Sequence, residues 1–459
     1  MPVLIIILLG LLQFSTGFGI LVLLKIYLKP VVCISLSVLI GIAVFAIIPI
    51  LLQLLYIPLT SFAVYASIVV VCLLLNLNSG KQVLQLLYTF KHSRFRIKLY
   101  ELPFLLLVCF IVFVSIWRCY YLPPTPRDLT SGPEVIAEYA VKEKTMINSV
   151  FTVDLATTNN QYKPSFITCL QIIYKYAGFP FGQVWLSVIF IFFLVFLYHA
   201  LSVTLHKIIA GILMIMFISI PEMYAYTFMV LFDYSNSVFF CLSLYFLFEF
   251  FSSEKTNYII LSGILMAIAT YIRSETLVLA CIVYVSVLFH YWKRRNFLKP
   301  TLRSGAYFIL PSLFIYLLSI VVYINWYLPS DYTIETLLNK NLLNFYSFYQ
   351  RLSDMTGRLL LAGDTINYYG YFVYIFLFIL CLTIFDRNLL NKTALNWLFA
   401  VFAVFIGLPF IAYLFPLYDL DNSTKRGLFK IFPLMLLFMA NSPLLISLSD
   451  SIKKWEQTK

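Results

Sequence analysis

The chain has 459 residues, 62% of them hydrophobic and only 11% charged, with a mean hydropathy of +0.93. That composition excludes a soluble globule, and apolar runs of the roughly 20 residues that cross a hydrocarbon core indicate an all-α, polytopic membrane protein. The formal net charge of +12 does not call for nucleic acid, because the positive-inside rule accounts for it once the loops are placed.

About 13 transmembrane helices are expected, near residues 2–24, 31–54, 58–77, 102–121, 183–203, 207–230, 234–251, 258–272, 276–291, 304–328, 369–385, 395–416 and 427–447. The first run lacks a basic leader and a small-residue cleavage site, so it reads as a retained helix. Placing the basic loop around Lys91, His92, Arg94, Arg96 and Lys98 inside also puts Lys25, Lys29, Lys293, Arg294, Arg295, Lys453 and Lys454 inside. The inner segments then carry 19 of the 32 Lys and Arg but 6 of the 20 Asp and Glu. Two long loops, 122–182 and 329–368, face outside. The expected setting is a cell membrane, bacterial inner membrane by type, with the active face toward the periplasm or exterior.

Long ordered loops are usually functional, and the 122–182 loop is rich in charge. Pro123, Pro124 and Pro126 stiffen its start and lead to Arg127-Asp128. Ser131-Gly132-Pro133-Glu134 has capping-box spacing, which predicts a helix from Ser131 through about Met146 with Glu134 at its third position. A second amphipathic segment follows Tyr162-Lys163-Pro164-Ser165 and runs to Pro180. Farther on, Asp233 opens an apolar run, Arg273 and Glu275 flank a tight outer turn, and Lys425-Arg426 precedes a run containing Phe432-Pro433. Each has a plainer reading: Glu134 and Asp233 as helix caps, Asp128 paired with Arg127, Arg273 paired with Glu275, Lys163 as an exposed loop lysine, and Lys425-Arg426 as an interfacial anchor. Glu222, just after a helix-breaking Pro221, lies close to membrane depth, where acids are functional suspects; residues 222–232 would form a re-entrant or interfacial piece.

Six of the eight cysteines fall in apolar runs; Cys119 and Cys169 flank the outer loop at no metal-ligand spacing. All four histidines fall at expected inner ends. No metal ligand set is therefore assigned, no nucleotide motif is present, and any divalent metal dependence stays open.

The order of these elements resembles the GT-C glycosyltransferases, in particular the protein mannosyltransferase and lipid A aminoarabinose transferase branch. The parallels are an early acidic group (Asp128, Glu134), a later Lys-Pro (Lys163-Pro164), an acid at an outer helix start (Asp233), a small-residue helix ending in Arg-x-Glu (Arg273, Glu275), and a basic residue before a late proline-bearing helix (Arg426). Gly132-Pro133-Glu134 and Lys163-Pro164-Ser165 depart from the family's Asp-Glu and Lys-Pro-Pro. The likeness covers residues 102–447; residues 1–101 would be an accessory three-helix segment and 448–459 a cytoplasmic tail.

The resemblance implies inverting transfer of a sugar from a polyprenyl-phosphate donor to a glycan, lipid or protein acceptor, as part of glycan biosynthesis at the cell envelope. Asp128 or Glu134 would be the general base, Lys163, Arg273 and Arg426 would hold the donor phosphate, and Asp233 and Glu275 would orient the acceptor or a basic partner. The other classes considered are an O-antigen polymerase or ligase, which would carry its main outer loop late in the chain, and a lipid-linked sugar transporter, which would show internal repeats.

Overall fold

The computed structural model describes residues 2–77, 79–80, 82–83, 88–89, 98–125, 130–153, 163–178, 182–292, 298–329, 346–385, 391–414 and 420–457. Among them the fold is helical throughout, with no strand. Seven helices are long and apolar enough to cross a membrane: Val3–Leu23, Pro30–Leu54, Leu99–Tyr121, Val184–Thr204, Phe232–Ser253, Leu298–Tyr327 and Lys392–Leu414. An eighth is added if Lys425–Asn441 and Pro443–Gln457, which meet at a 54° bend, count as one broken span.

Five shorter apolar helices, Ser61–Asn76, Lys207–Ile218, Thr256–Ile272, Thr276–Tyr291 and Phe372–Phe385, occupy five of the other expected spans. At 1.5 Å per residue none of them reaches the roughly 30 Å of a hydrocarbon core. Among the described residues the chain is thus an all-helical, membrane-type bundle with seven or eight helices of spanning length where about thirteen were expected.

Local chemistry explains the shortening. The run expected over 207–230 stops at Ile218, and Pro221 opens a separate turn, Pro221–Ala225, because proline tolerates only the start of a helix. In the last run, Ser442 is extended and Pro443 begins a new helix. The expected tail, 448–459, is therefore largely helical and docked: Glu456 lies 2.5 Å from Lys98 and 3.2 Å from His206.

The described part of residues 1–101 shares one apolar core with the other helices. The hydroxyl of Tyr271 donates to the Ala46 carbonyl at 2.8 Å, Gln13 donates to the Tyr174 hydroxyl at 3.0 Å, and Tyr327 donates to the Gln53 carbonyl at 3.0 Å. The first two helices touch backbone to backbone. A methyl at Gly17 would lie 1.9 Å from the Ser37 carbonyl oxygen, and one at Gly41 1.9 Å from that of Gln13, so only glycine permits the approach.

Among the described residues the ion pairs fall within, and not between, the two sets of ends that charge alone separates. Lys98, Glu101, His206, Lys207 and Glu456 pair among themselves, with Lys207 to Glu101 at 2.7 Å. Lys163, Asp233, Arg273, Glu275 and Arg426 gather at the other ends of the helices. The basic loop around Lys91 lies outside the described residues.

Candidate functional site

The acidic loop folds differently from its capping pattern. Gly132 takes backbone angles of −126° and −109°, outside the helical range, so the chain turns before Pro133 and the helix begins only at Val135, ending at Glu143. Glu134 is thereby turned inward instead of capping. Its carboxylate lies 2.5 Å from the Lys175 ammonium and accepts a hydrogen bond from Gln171, whose own carbonyl accepts from the Trp185 indole at 2.9 Å. Burial raises the Glu134 carboxyl above the ordinary carboxylate range, while Lys175 and Gln171 pull the other way. The sequence places Lys175 and Gln171 four residues apart on one face of Phe166–Tyr176.

A second centre forms where three helix ends meet. Asp233 lies in the first turn of Phe232–Ser253, and the turn Arg273-Ser274-Glu275 joins Thr256–Ile272 to Thr276–Tyr291. The extended backbone of Arg273 sends its guanidinium back over that turn, where it donates to Asp233 and its Nε lies 2.5 Å from Glu275. The expected Arg273–Glu275 pair is thus present, and it is part of a larger set. Arg426 approaches Asp233 to 3.8 Å, and Lys163 stands with its ammonium 5.5 Å from the centre of the Phe232 ring. Burial and the like charges of Arg273 and Arg426 push the Lys163 ammonium down to about 8.

Five of the seven residues singled out by sequence, Lys163, Asp233, Arg273, Glu275 and Arg426, therefore converge. Glu134 pairs elsewhere: its partners are Lys175 and Gln171, and no described ion pair or hydrogen bond joins it to this centre. Asp128, with Asp331 and Glu335 of the second loop, lies outside the described residues.

Lys430 completes the set and escaped the sequence reading. It precedes Ile431–Asn441 and is 1% exposed, its ammonium 3.8 Å from Glu275 and without a hydrogen-bond partner among the described residues. The signal was a lysine four residues after Arg426 inside an apolar run, a spacing that brings both side chains to one face. One oxygen of Asp233, 1% exposed, likewise lacks a hydrogen-bond partner.

A neighbouring pair fixes the segment that carries Arg426. The Lys425 ammonium lies 2.9 Å from Glu222 and 4.2 Å from the centre of the Tyr368 ring, while the Tyr369 hydroxyl donates to the Lys425 carbonyl at 3.1 Å. Glu222, suspect by its depth, thus helps to hold the turn that presents Arg426.

The described centre gathers four cations around two carboxylates. Arg guanidinium with Lys ammonium is a set suited to phosphate. Among the described residues no three His, Cys, Asp or Glu side chains gather to hold a metal. All eight cysteines are free, Cys119 and Cys169 included. Comparison with family models, with curated proteins and with solved structures returned no significant match.

Proposed function

We propose that the chain is an integral membrane glycosyltransferase that takes a sugar from a polyprenyl-phosphate donor and passes it to an acceptor hydroxyl on the outer face of the membrane. The observation that carries this reading is the buried convergence of Lys163, Arg273, Arg426 and Lys430 on Asp233 and Glu275 at the ends of apolar helices. A lipid-borne phosphate would reach such a place along the bilayer, and its leaving oxygen gains negative charge as the sugar departs. Fixed cations in a site poor in water stabilise that change more than solvent does. The GT-C resemblance adds the class of donor and the inverting course.

In this reading the bond between the anomeric carbon and the phosphate oxygen breaks as the acceptor oxygen attacks, and a carboxylate takes the acceptor's proton. Lys175 and Gln171 already engage Glu134, which makes Asp128 the preferred base. The carbonyl of Thr125 accepts from the backbone of Val230 at 3.1 Å, tying the start of the acidic loop to the segment that leads into Asp233. Glu275 and Asp233 orient the cations and are not assigned to proton transfer.

The test is turnover in proteoliposomes carrying polyprenyl-phosphate-linked sugars and a membrane extract as acceptor source. Release of free polyprenyl phosphate that depends on Arg426 supports the reading. Binding of the lipid without release from any donor in a broad sugar panel would contradict it.

A further inference from the structure

The turn that carries Arg273 and Glu275 is gripped from the side by one amide. Asn236 is wholly buried near the start of Phe232–Ser253, and its Nδ2 donates to the Ala269 carbonyl at 2.6 Å and to the Thr276 hydroxyl at 3.0 Å. Ala269 stands in the last turn of Thr256–Ile272, and Thr276 is the first residue of Thr276–Tyr291. One side chain thus reaches both sides of Arg273-Ser274-Glu275.

The Ala269 carbonyl also accepts the backbone N–H of Arg273 at 3.0 Å, and the Arg273 carbonyl accepts that of Thr276 at 3.0 Å. These bonds shape the turn, but each joins near neighbours in the chain and none fixes where the turn lies against Phe232–Ser253. Asn236 supplies that link. Asparagine is a poor choice for the interior of an apolar helix, both by propensity and by the cost of burying an amide. Its Oδ1 has no hydrogen-bond partner among the described residues, so both described bonds of the amide serve this turn. Asp233 stands one helical turn earlier, and residues three apart share a face. The same face therefore carries the carboxylate that takes the Arg273 guanidinium and the amide that sets the Arg273 backbone. An error in that backbone is passed on to the guanidinium, whose contacts with a phosphate depend on its direction.

We infer that Asn236 is a positioning residue of the cationic centre: it holds the Arg273-Ser274-Glu275 turn against the Asp233 helix and so aims Arg273 at the donor phosphate. The inference rests on the proposed binding of a lipid phosphate and adds a residue to that site.

A second contact between the same two helices separates this role from plain helix packing. Ser243 and Ser262 donate their hydroxyls to each other's carbonyls at 2.8 and 2.7 Å. Ser243 lies about 15 Å along the helix from Asp233, at 1.5 Å per residue, so Ser243→Ala loosens the helix pair without touching the turn.

The experiment is native mass spectrometry of the full chain in detergent, titrated with polyprenyl phosphate and with the polyprenol of equal length; the ratio of the two affinities is the readout. Asn236→Leu is expected to lower that ratio roughly three- to tenfold. Thr276→Val, which removes one acceptor and keeps the shape of the side chain, is expected to lower it in the same direction, and Ser243→Ala to leave it unchanged. In an Arg273→Gln background Asn236→Leu is expected to cost nothing further, because the amide acts through the guanidinium. Should Asn236→Leu not fold, Thr276→Val carries the test in both backgrounds. A ratio retained in every folded variant of Asn236 and Thr276, an equal loss in Ser243→Ala, or the same loss with and without Arg273 overturns the inference while the phosphate site stands. Equal binding of the two lipids by the parent removes the site itself, and the role of Asn236 with it.

Discussion

The Lys430 ammonium stands 3.8 Å from the Glu275 carboxylate, buried and without a hydrogen-bond partner among the described residues, while Glu275 already holds Arg273 at 2.5 Å. Lys430 is thus only weakly engaged by the described residues. Replacing it with methionine removes a costly buried charge and leaves Glu275 its closer partner, so Lys430→Met is expected to melt at the same or a higher temperature. Its affinity for polyprenyl phosphate is expected to fall ten- to a hundredfold, the effect of losing one charge-assisted contact of about 1.5–3 kcal/mol. Melting and lipid titration on one sample check both parts.

Asp233 behaves in the opposite way. It is the carboxylate shared by Arg273 and Arg426, and Asp233→Asn leaves buried cations short of countercharge. A loss of about 3–5 kcal/mol is expected, read as a fall in unfolding midpoint in detergent. The exposed Glu138–Lys142 pair, one helical turn apart at 2.7 Å, is the control, and Glu138→Gln is expected to leave the midpoint unchanged within error. Added polyprenyl phosphate is expected to restore more stability to Asp233→Asn than to the parent, because the anion takes over part of the missing charge.

Lys163 is expected to make polyprenyl-phosphate binding pH-dependent. Burial and its cationic neighbours lower its pKa from the ordinary lysine value to about 8. Below that pH the folded protein carries the unfavourable charged form; as pH rises through about 8 the proton leaves, earlier than in the unfolded chain, so folding is relieved of a penalty while the anion site loses a cation. Affinity for polyprenyl phosphate is expected to weaken between pH 7 and 9, and Lys163→Met is expected to flatten that slope. An identical slope in the variant would remove Lys163 from the site.

The two loop carboxylates are expected to part company. Glu134→Gln breaks a buried pair with Lys175 and is expected to lower the melting temperature, with turnover per folded molecule retained. Asp128→Asn is expected to leave melting unchanged and to abolish turnover, since the amide cannot accept the acceptor's proton. Rates normalised to folded protein distinguish the two.

Much of the site was legible because charged residues at the edges of apolar runs are few and the alternation of runs sorts them by side. Asp233, Arg273, Glu275 and Arg426 each stand at such an edge, and their meeting follows from topology. Lys430 was not singled out because it lies within an apolar run, where one lysine reads as an interruption. Glu134 was misplaced because Ser131 and Glu134 have capping spacing while Gly132-Pro133 turns the backbone out of helical geometry, which the spacing does not register. Helix ends were misplaced for a related reason. Hydropathy continues past Ile218 and Asn441, but the backbone breaks before Pro221 and Pro443.

The cluster of Lys163, Arg273, Arg426 and Lys430 is proposed to recognise the phosphate of a membrane lipid. Native mass spectrometry of the purified chain, titrated with polyprenyl phosphate and with the uncharged polyprenol of the same length, tests it without knowledge of the sugar or the acceptor. The phosphate lipid is expected to bind at least a hundredfold more tightly, as two or more charge-assisted contacts of about 1.5–3 kcal/mol each require, and Arg426→Gln is expected to erase most of that preference. Equal binding of the two lipids, or a preference unaffected by Arg426→Gln and Lys430→Met together, would contradict the claim.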